Sequence, residues 1–254
     1  MTLHLRPTAD LAERALLPED PGAAMALAQA LLHRPLMFNH SHGLWGYSGV
    51  AADGLPLTVQ STGIGGPSAA VVLAELHAVG LRRAIRVGTC AALDDRLALG
   101  ELVIADSAIA ADGAGRALAH ETGSAVGETD LTPGSDLCIE ADAVLTAGLA
   151  AAGPEVRRGR VASVDLFYRG GGEARWLGGD AGRSWQAQGA LAVDLASAAL
   201  FALGGRDRVA VGCILVAVEL RDPPQRIGDD TRAASLERGA RLALAALVGP
   251  PASG

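Results

Sequence analysis

Residues 60–92, QSTGIGGPSAAVVLAELHAVGLRRAIRVGTCAA, decide how the chain is read. Leading into them, Leu57, Val59 and Ser61 alternate with Thr58, Gln60 and Thr62, the period of a strand. The glycine-rich turn Gly63-Ile64-Gly65-Gly66-Pro67-Ser68 then opens an apolar run at helical spacing (Val71, Val72, Ala74, Leu76, Val79) that stops at Gly80. Residues 84–87 read as a second buried strand, with Gly88 and Thr89 at its carboxyl end. Two short strands separated by a helix close most simply as a parallel βαβ unit.

That unit has the chemistry of an anion or sugar site. Amides in a glycine-rich turn can approach a ligand closely, and the helix start near Pro67 adds a positive dipole end. Arg86 stands inside a strand, between Ile85 and Val87. Two readings of it stay open: a surface cation, or a guanidinium aimed at an anion beside the Thr89 hydroxyl.

Composition bounds the rest. A chain of 254 residues that is 50% hydrophobic can bury a large core as one α/β domain, and no domain boundary is needed. Aromatics make up only 3%, so that core is built from Ala, Val and Leu, as in helices packed closely on a parallel sheet. A net charge of −7 argues against a nucleic-acid surface. Cys90, Cys138 and Cys213 lack metal-ligand spacing and read as buried thiols in a reducing compartment. No run is apolar enough to span a bilayer and the N-terminus lacks a signal-peptide core, so the expected location is the cytoplasm.

The segments STGIGGPSAAVVLAEL and RVGTCAAL resemble the nucleoside phosphorylase family that includes uridine phosphorylase, hexameric purine nucleoside phosphorylase and methylthioadenosine nucleosidase. The likeness continues through LLPEDPG (16–22), SVDLFY (163–168) and WQAQGALAVDLASAAL (185–200), so it runs in order along most of the chain. It implies a single domain over residues 1–254, a three-layer αβα fold whose central mixed, partly barrel-like sheet is flanked by helices. It also implies cleavage of the N-glycosidic bond of a purine or pyrimidine nucleoside with inorganic phosphate as co-substrate, and no cofactor or metal. The expected partners are small molecules, with no nucleic acid and no membrane. The expected assembly is a homo-oligomer, a dimer or trimer of dimers, with residues donated across the dimer contact.

Site residues follow from the same resemblance. Arg86, Thr89 and Gly65 match phosphate-binding positions, and His42, in NHSHGLWGYSG (39–49), stands where the family donates an arginine to the neighbouring subunit's phosphate. His4 matches a histidine that reaches the ribose across the contact. Asp194 and Leu195 fall in the family's Glu-Met-Glu ribose signature. Phe167 matches the residue that packs on the base, with Arg175 beyond it in a glycine-rich loop. Glu219 falls where purine-cleaving relatives carry the acid that protonates the leaving base, which makes Glu219 and Arg86 the expected catalytic pair. A strand-end carboxylate paired with Arg221 is the other reading of Glu219.

The sequence also departs from the family pattern. Glu19 replaces a phosphate-binding glycine and Ala23 an arginine; Ala196 replaces the ribose-binding glutamate, and Gly171 falls where uridine phosphorylase has a glutamine. A carboxylate beside phosphate repels it by roughly 1 kcal/mol even in water. Two further functions therefore stand beside phosphorolysis: a nucleosidase using water, and a nucleoside-binding member without catalysis.

Elsewhere the pattern predicts strands at 45–50, 55–62, 102–105, 158–163, 190–193 and 209–218, and the resemblance implies a further strand leading into a turn within residues 15–22. Helices are expected at 24–32, 136–152 with Asp136 as cap, and 229–248 capped by Asp229 or Asp230. Residues 110–132 read as a surface excursion.

Overall fold

The computed structural model describes residues 2–121, 137–166, 180–221 and 223–248. The chain begins with β1 (Arg14–Leu17), α1 (Pro21–Leu31) and β2 (Leu32–Asn39). Asp20 starts α1 by accepting the Ala23 amide at 2.8 Å. Residues 33–35, expected just beyond a helix, lie instead in β2, an edge strand that tolerates Pro35. β3 (Gly46–Ala51) and β4 (Pro56–Gln60) pair antiparallel as the expected hairpin.

The glycine-rich turn leads into α2 (Gly66–Ala78), which ends before Gly80 at φ 118°, a left-handed conformation suited to glycine. β5 (Arg83–Ala92) follows. Two details differ from the sequence reading. β4 and β5 are parallel but not neighbours, because β1 lies between them and pairs with both. The second strand also continues through Gly88 and Thr89 to Ala92, because Leu215, Val216 and Ala217 of a later strand pair with Gly88, Thr89 and Cys90.

The remaining elements are β6 (Leu102–Ala110), α3 (Gly113–Glu121), β7 (Cys138–Glu140), α4 (Ala143–Ala152), β8 (Arg157–Ser163), α5 (Asp180–Ala187) and β9 (Ala192–Asp194). They are followed by α6 (Ser197–Asp207), β10 (Ala210–Leu220), β11 (Gln225–Arg226) and α7 (Asp229–Ala246). The expected excursion after β6 thus contains a helix. The helix expected to start at Asp136 is preceded by β7 and capped by Asp142, whose Oδ1 accepts the Leu145 amide at 2.8 Å. α7 is capped by Gly228 rather than by an aspartate side chain.

Among the described residues, eleven strands form one mixed sheet. β5 pairs with β10, β10 with β6, β6 with β8, β8 with β9, and β9 with β5 again, which closes part of the sheet into a ring. Helices flank it, and separate apolar clusters fill its faces: Leu73, Leu76, Leu200 and Phe201 in one, Leu27, Leu149, Ile214 and Ala243 in another. This is the expected α/β architecture. β1, β4, β5 and β10 run parallel, so their carboxyl ends gather on one side, the usual position of a ligand crevice in such sheets. Among the described residues, no helix is long and apolar enough to cross a membrane.

Candidate active site

The gathering point of those strand ends is held together by backbone bonds between two loops. The Thr62 amide donates to the Pro18 carbonyl at 2.8 Å and the Gly63 amide to the Glu19 carbonyl at 3.0 Å. The glycine bend therefore fixes the loop after β1 with an amide expected to be open to a ligand. Gly63 (φ 71°) has no room for a Cβ, which would lie 2.5 Å from Ser68 Oγ. Gly65 (φ 88°) caps α2 without a side-chain bond.

Arg86 projects from β5 beneath this junction and is 1% exposed, which rules out a surface cation. Its Nε donates to Asp194 Oδ2 and its Nη2 to Glu19 Oε2, each at 3.2 Å. Burial works against its charge, but Asp194 and Glu19 outweigh that and raise its pKa above the ordinary arginine value. The guanidinium folds back over Gly88, where a Cβ would stand 2.7 Å from Arg86 Cζ. Two residues on in a strand is the same face, so glycine at 88 is what lets the arginine lie flat.

Thr89 completes the grip on Glu19, its Oγ1 donating to Glu19 Oε1 at 2.7 Å. The Glu19 carboxylate is thus held at one oxygen by a guanidinium and at the other by a hydroxyl. Asp194 is fixed from the opposite side: Ser163 Oγ donates to its Oδ1 at 2.6 Å and Ser197 Oγ to its Oδ2 at 2.7 Å. Ala196, where the family has a carboxylate, is buried at the start of α6.

A cavity of about 580 Å³ opens above this cluster, lined by Glu19, Thr89, Asp194, Leu195, Glu219 and Arg226 among others. That volume suits a small organic ligand. Glu219 lies within β10, and its Oε2 accepts from Arg226 Nε on β11 at 3.2 Å. Its partner is therefore not Arg221, which bonds Gln186 and Asp95. Ile64 and Leu166 add apolar wall, and Asp165 and Arg232 stand at the rim.

The other sequence-derived positions are placed elsewhere. His4 Nδ1 lies 2.8 Å from Glu75 Oε1, and its ring is 5.6 Å from that of His42. Neither histidine lines the cavity. Burial pushes the Glu75 carboxyl up, but the amides of Leu5, His4 and Leu3 and the His4 ring together hold it down at about 2. Phe167 and Arg175 lie outside the described residues. Cys90 and Cys213 are buried thiols whose pKa burial raises, Cys213 to about 12, whereas Cys138 is only partly covered.

Asp112 sits fully buried where β6 gives way to α3, its Oδ2 accepting the Gly115 amide at 2.7 Å and its Oδ1 without a partner among the described residues. Burial pushes this carboxyl up to about 7, against the Gly115 hydrogen bond and with added repulsion from Asp165 and Asp194.

Known proteins share this framework. A family model described as "Phosphorylase superfamily" matches residues 13–248. The chain belongs to that superfamily. The DeoD-type purine nucleoside phosphorylase of Geobacillus kaustophilus is 29% identical over 238 residues, covering 92% of this chain and 90% of its own. The uridine phosphorylase of Treponema pallidum is 30% identical over 252 residues, covering 94% and 89%. Among solved structures, a Vibrio fischeri uridine phosphorylase complexed with 6-hydroxy-1-naphthoic acid superposes with a TM-score of 0.76 at 24% identity, covering 94% of this chain and 92% of that one, a likeness of fold. Purine and uridine enzymes match at similar identity, so the superfamily membership leaves the base open.

Sequence reasoning did not foresee Glu19 as a ligand of Arg86 and Thr89, nor Arg226 as the partner of Glu219. Glu19 carried a signal: it stands two residues past β1, beyond the carboxyl end of a parallel strand, where ligand-facing residues collect. Arg226 carried none, because β11 is only two residues long.

Proposed function

We propose that the protein cleaves the N-glycosidic bond of a nucleoside in the cavity over β5 and β10, with phosphate as the acceptor. The ribose lies over Leu195, and the base extends toward Glu219. As the C1′–N bond breaks, the electron pair leaves with the base, Glu219 supplies a proton to it, and an acceptor oxygen bonds C1′. Arg226 is 59% exposed, so its pairing with Glu219 is worth under about 1 kcal/mol and yields to the incoming base. Asp194 holds Arg86 in place, and Arg86 and Thr89 hold the acceptor.

The observation that carries this reading is a nucleoside-sized cavity lined by the Thr89 hydroxyl, with the buried Arg86 guanidinium beneath the Glu19 and Asp194 carboxylates that also line it, in a chain whose relatives over nine-tenths of its length are nucleoside phosphorylases. A second reading, with water as acceptor, is favoured by one contact: the Glu19 carboxylate bonded to both groups that would hold phosphate.

His4 and His42 stand together away from the cavity, which supports a homo-oligomer in which they serve a neighbouring copy. Base release from a panel of purine and pyrimidine nucleosides, followed with and without phosphate, tests the function. Phosphate-dependent release supports phosphorolysis, and phosphate-independent release supports the second reading. No release from any nucleoside overturns both.

A further inference from the structure

Glu19 is the one carboxylate that touches both Arg86 and Thr89 among the described residues. Its oxygens take a guanidinium N–H and a hydroxyl O–H, the donors that an external oxyanion would use. The seat is not fully used, however: Arg86 Nη1 is buried and has no partner among the described residues. A flat carboxylate with two oxygens leaves that donor unmatched, whereas a tetrahedral oxyanion brings more acceptor atoms to the same guanidinium.

Glu19 can also leave. Its side chain is 29% exposed, whereas Arg86 and Asp194 are buried. A second cavity of about 570 Å³ lies on its other side, lined by Glu19, Ala23, Gly88 and Arg232 among others. The side chain therefore borders open space on two sides, and Arg232 lines both cavities. Asp20, next in sequence, is committed to capping α1 and cannot take its place.

We infer that Glu19 is a specificity residue for the acceptor: a resident anion on the Arg86–Thr89 seat that inorganic phosphate must displace. This rests on the proposed function for the identity of the anion, but not for the competition itself. A neutral acceptor meets no such competitor. The wild-type chain binds phosphate weakly, and removing the charge at 19 opens the seat with all its donors still in place.

The test is calorimetric titration of the full chain with inorganic phosphate, on wild type, Glu19→Gln and Glu19→Gly. Both variants are expected to bind phosphate at least tenfold more tightly than wild type. Glu19→Gly keeps the test open should the glutamine variant fail to fold. Adding Thr89→Val to Glu19→Gln is expected to abolish the gain. Equal or weaker phosphate binding by a folded variant overturns the inference, as does a gain that survives Thr89→Val. Base release is read separately, as the ratio of phosphate-dependent to phosphate-independent rates, which is expected to rise in Glu19→Gln. Tighter phosphate binding with no base released from any nucleoside supports the role of Glu19 and refutes the proposed function.

Discussion

Substituting Asp194→Asn exposes the unequal standing of the two carboxylates on Arg86. Asp194 is fully covered and Glu19 is 29% exposed, although each bonds the guanidinium at 3.2 Å. Asparagine keeps the shape and one acceptor, and its amide can face Ser163 Oγ, but the charge opposite a buried arginine is gone. Breaking a buried pair from one side costs about 3–5 kcal/mol. Glu19 still partly balances Arg86, which places the loss near the lower end, about 3 kcal/mol. For a chain of this size that corresponds to a fall in melting temperature of about 6–12 °C. Glu19→Gln removes the same formal charge where water can replace it, so its cost stays under about 1 kcal/mol. Urea unfolding of both variants, followed by circular dichroism, measures the difference. An Asp194→Asn loss below about 1 kcal/mol, or equal losses in the two variants, refutes the assignment of Asp194 as the buried anchor of the site.

Gly88→Ala places a Cβ 2.7 Å from Arg86 Cζ and 2.8 Å from Nη2, and the guanidinium is pinned on both sides. It is expected to destabilise by about 1–3 kcal/mol in urea unfolding, as overpacking does, and to weaken phosphate binding measured by titration. Glu219→Gln removes the proposed proton donor and is expected to lower kcat for base release about 10²- to 10⁴-fold with a smaller change in KM, read from steady-state kinetics. Asp112 gives a pH signature, because its carboxyl sits at about 7 when folded against 3.8 when unfolded. Between those values the unfolded chain releases a proton that the folded chain keeps, so stability falls as pH rises through that window and levels off above it. The whole effect is at most about 4 kcal/mol. Asp112→Asn, which can still cap α3, is expected to lack the slope and to be more stable than wild type at pH 8, checked by urea unfolding across the pH range.

Local periodicity made much of the fold legible. The hairpin of β3 and β4, helix α2 and strand β8 stand where alternation or helical spacing put them. What stayed hidden was long-range. Nothing in residues 57–92 states that β1 inserts between β4 and β5, because that order is set by pairing with residues more than forty positions away. The length of β5 past Gly88 was equally invisible, since a glycine inside a strand reads as an end until β10 pairs with it. β7 and the cap at Asp142 were missed because a strand of three residues has too few positions to show a period.

The site was legible in part and for the same reason. Arg86, Thr89, Asp194, Leu195 and Glu219, drawn from motifs along the chain, are brought to one cavity or directly beneath it. Glu19 was visible as a carboxylate in an unexpected place, but its bonds to Arg86 and Thr89 span 67 and 70 residues of sequence. A pairing at that separation is a property of the folded sheet, in which β1 and β5 lie side by side.

The cavity over β5 and β10 is proposed to receive a nucleoside. A crystal structure soaked with a nucleoside analogue whose glycosidic C–N bond is replaced by C–C measures this directly. The sugar is expected against Leu195 and within reach of the Thr89 and Glu19 end of the cavity, and the base beside Glu219. Clear density for the analogue at another site, or a cavity that stays empty at saturating analogue, contradicts it.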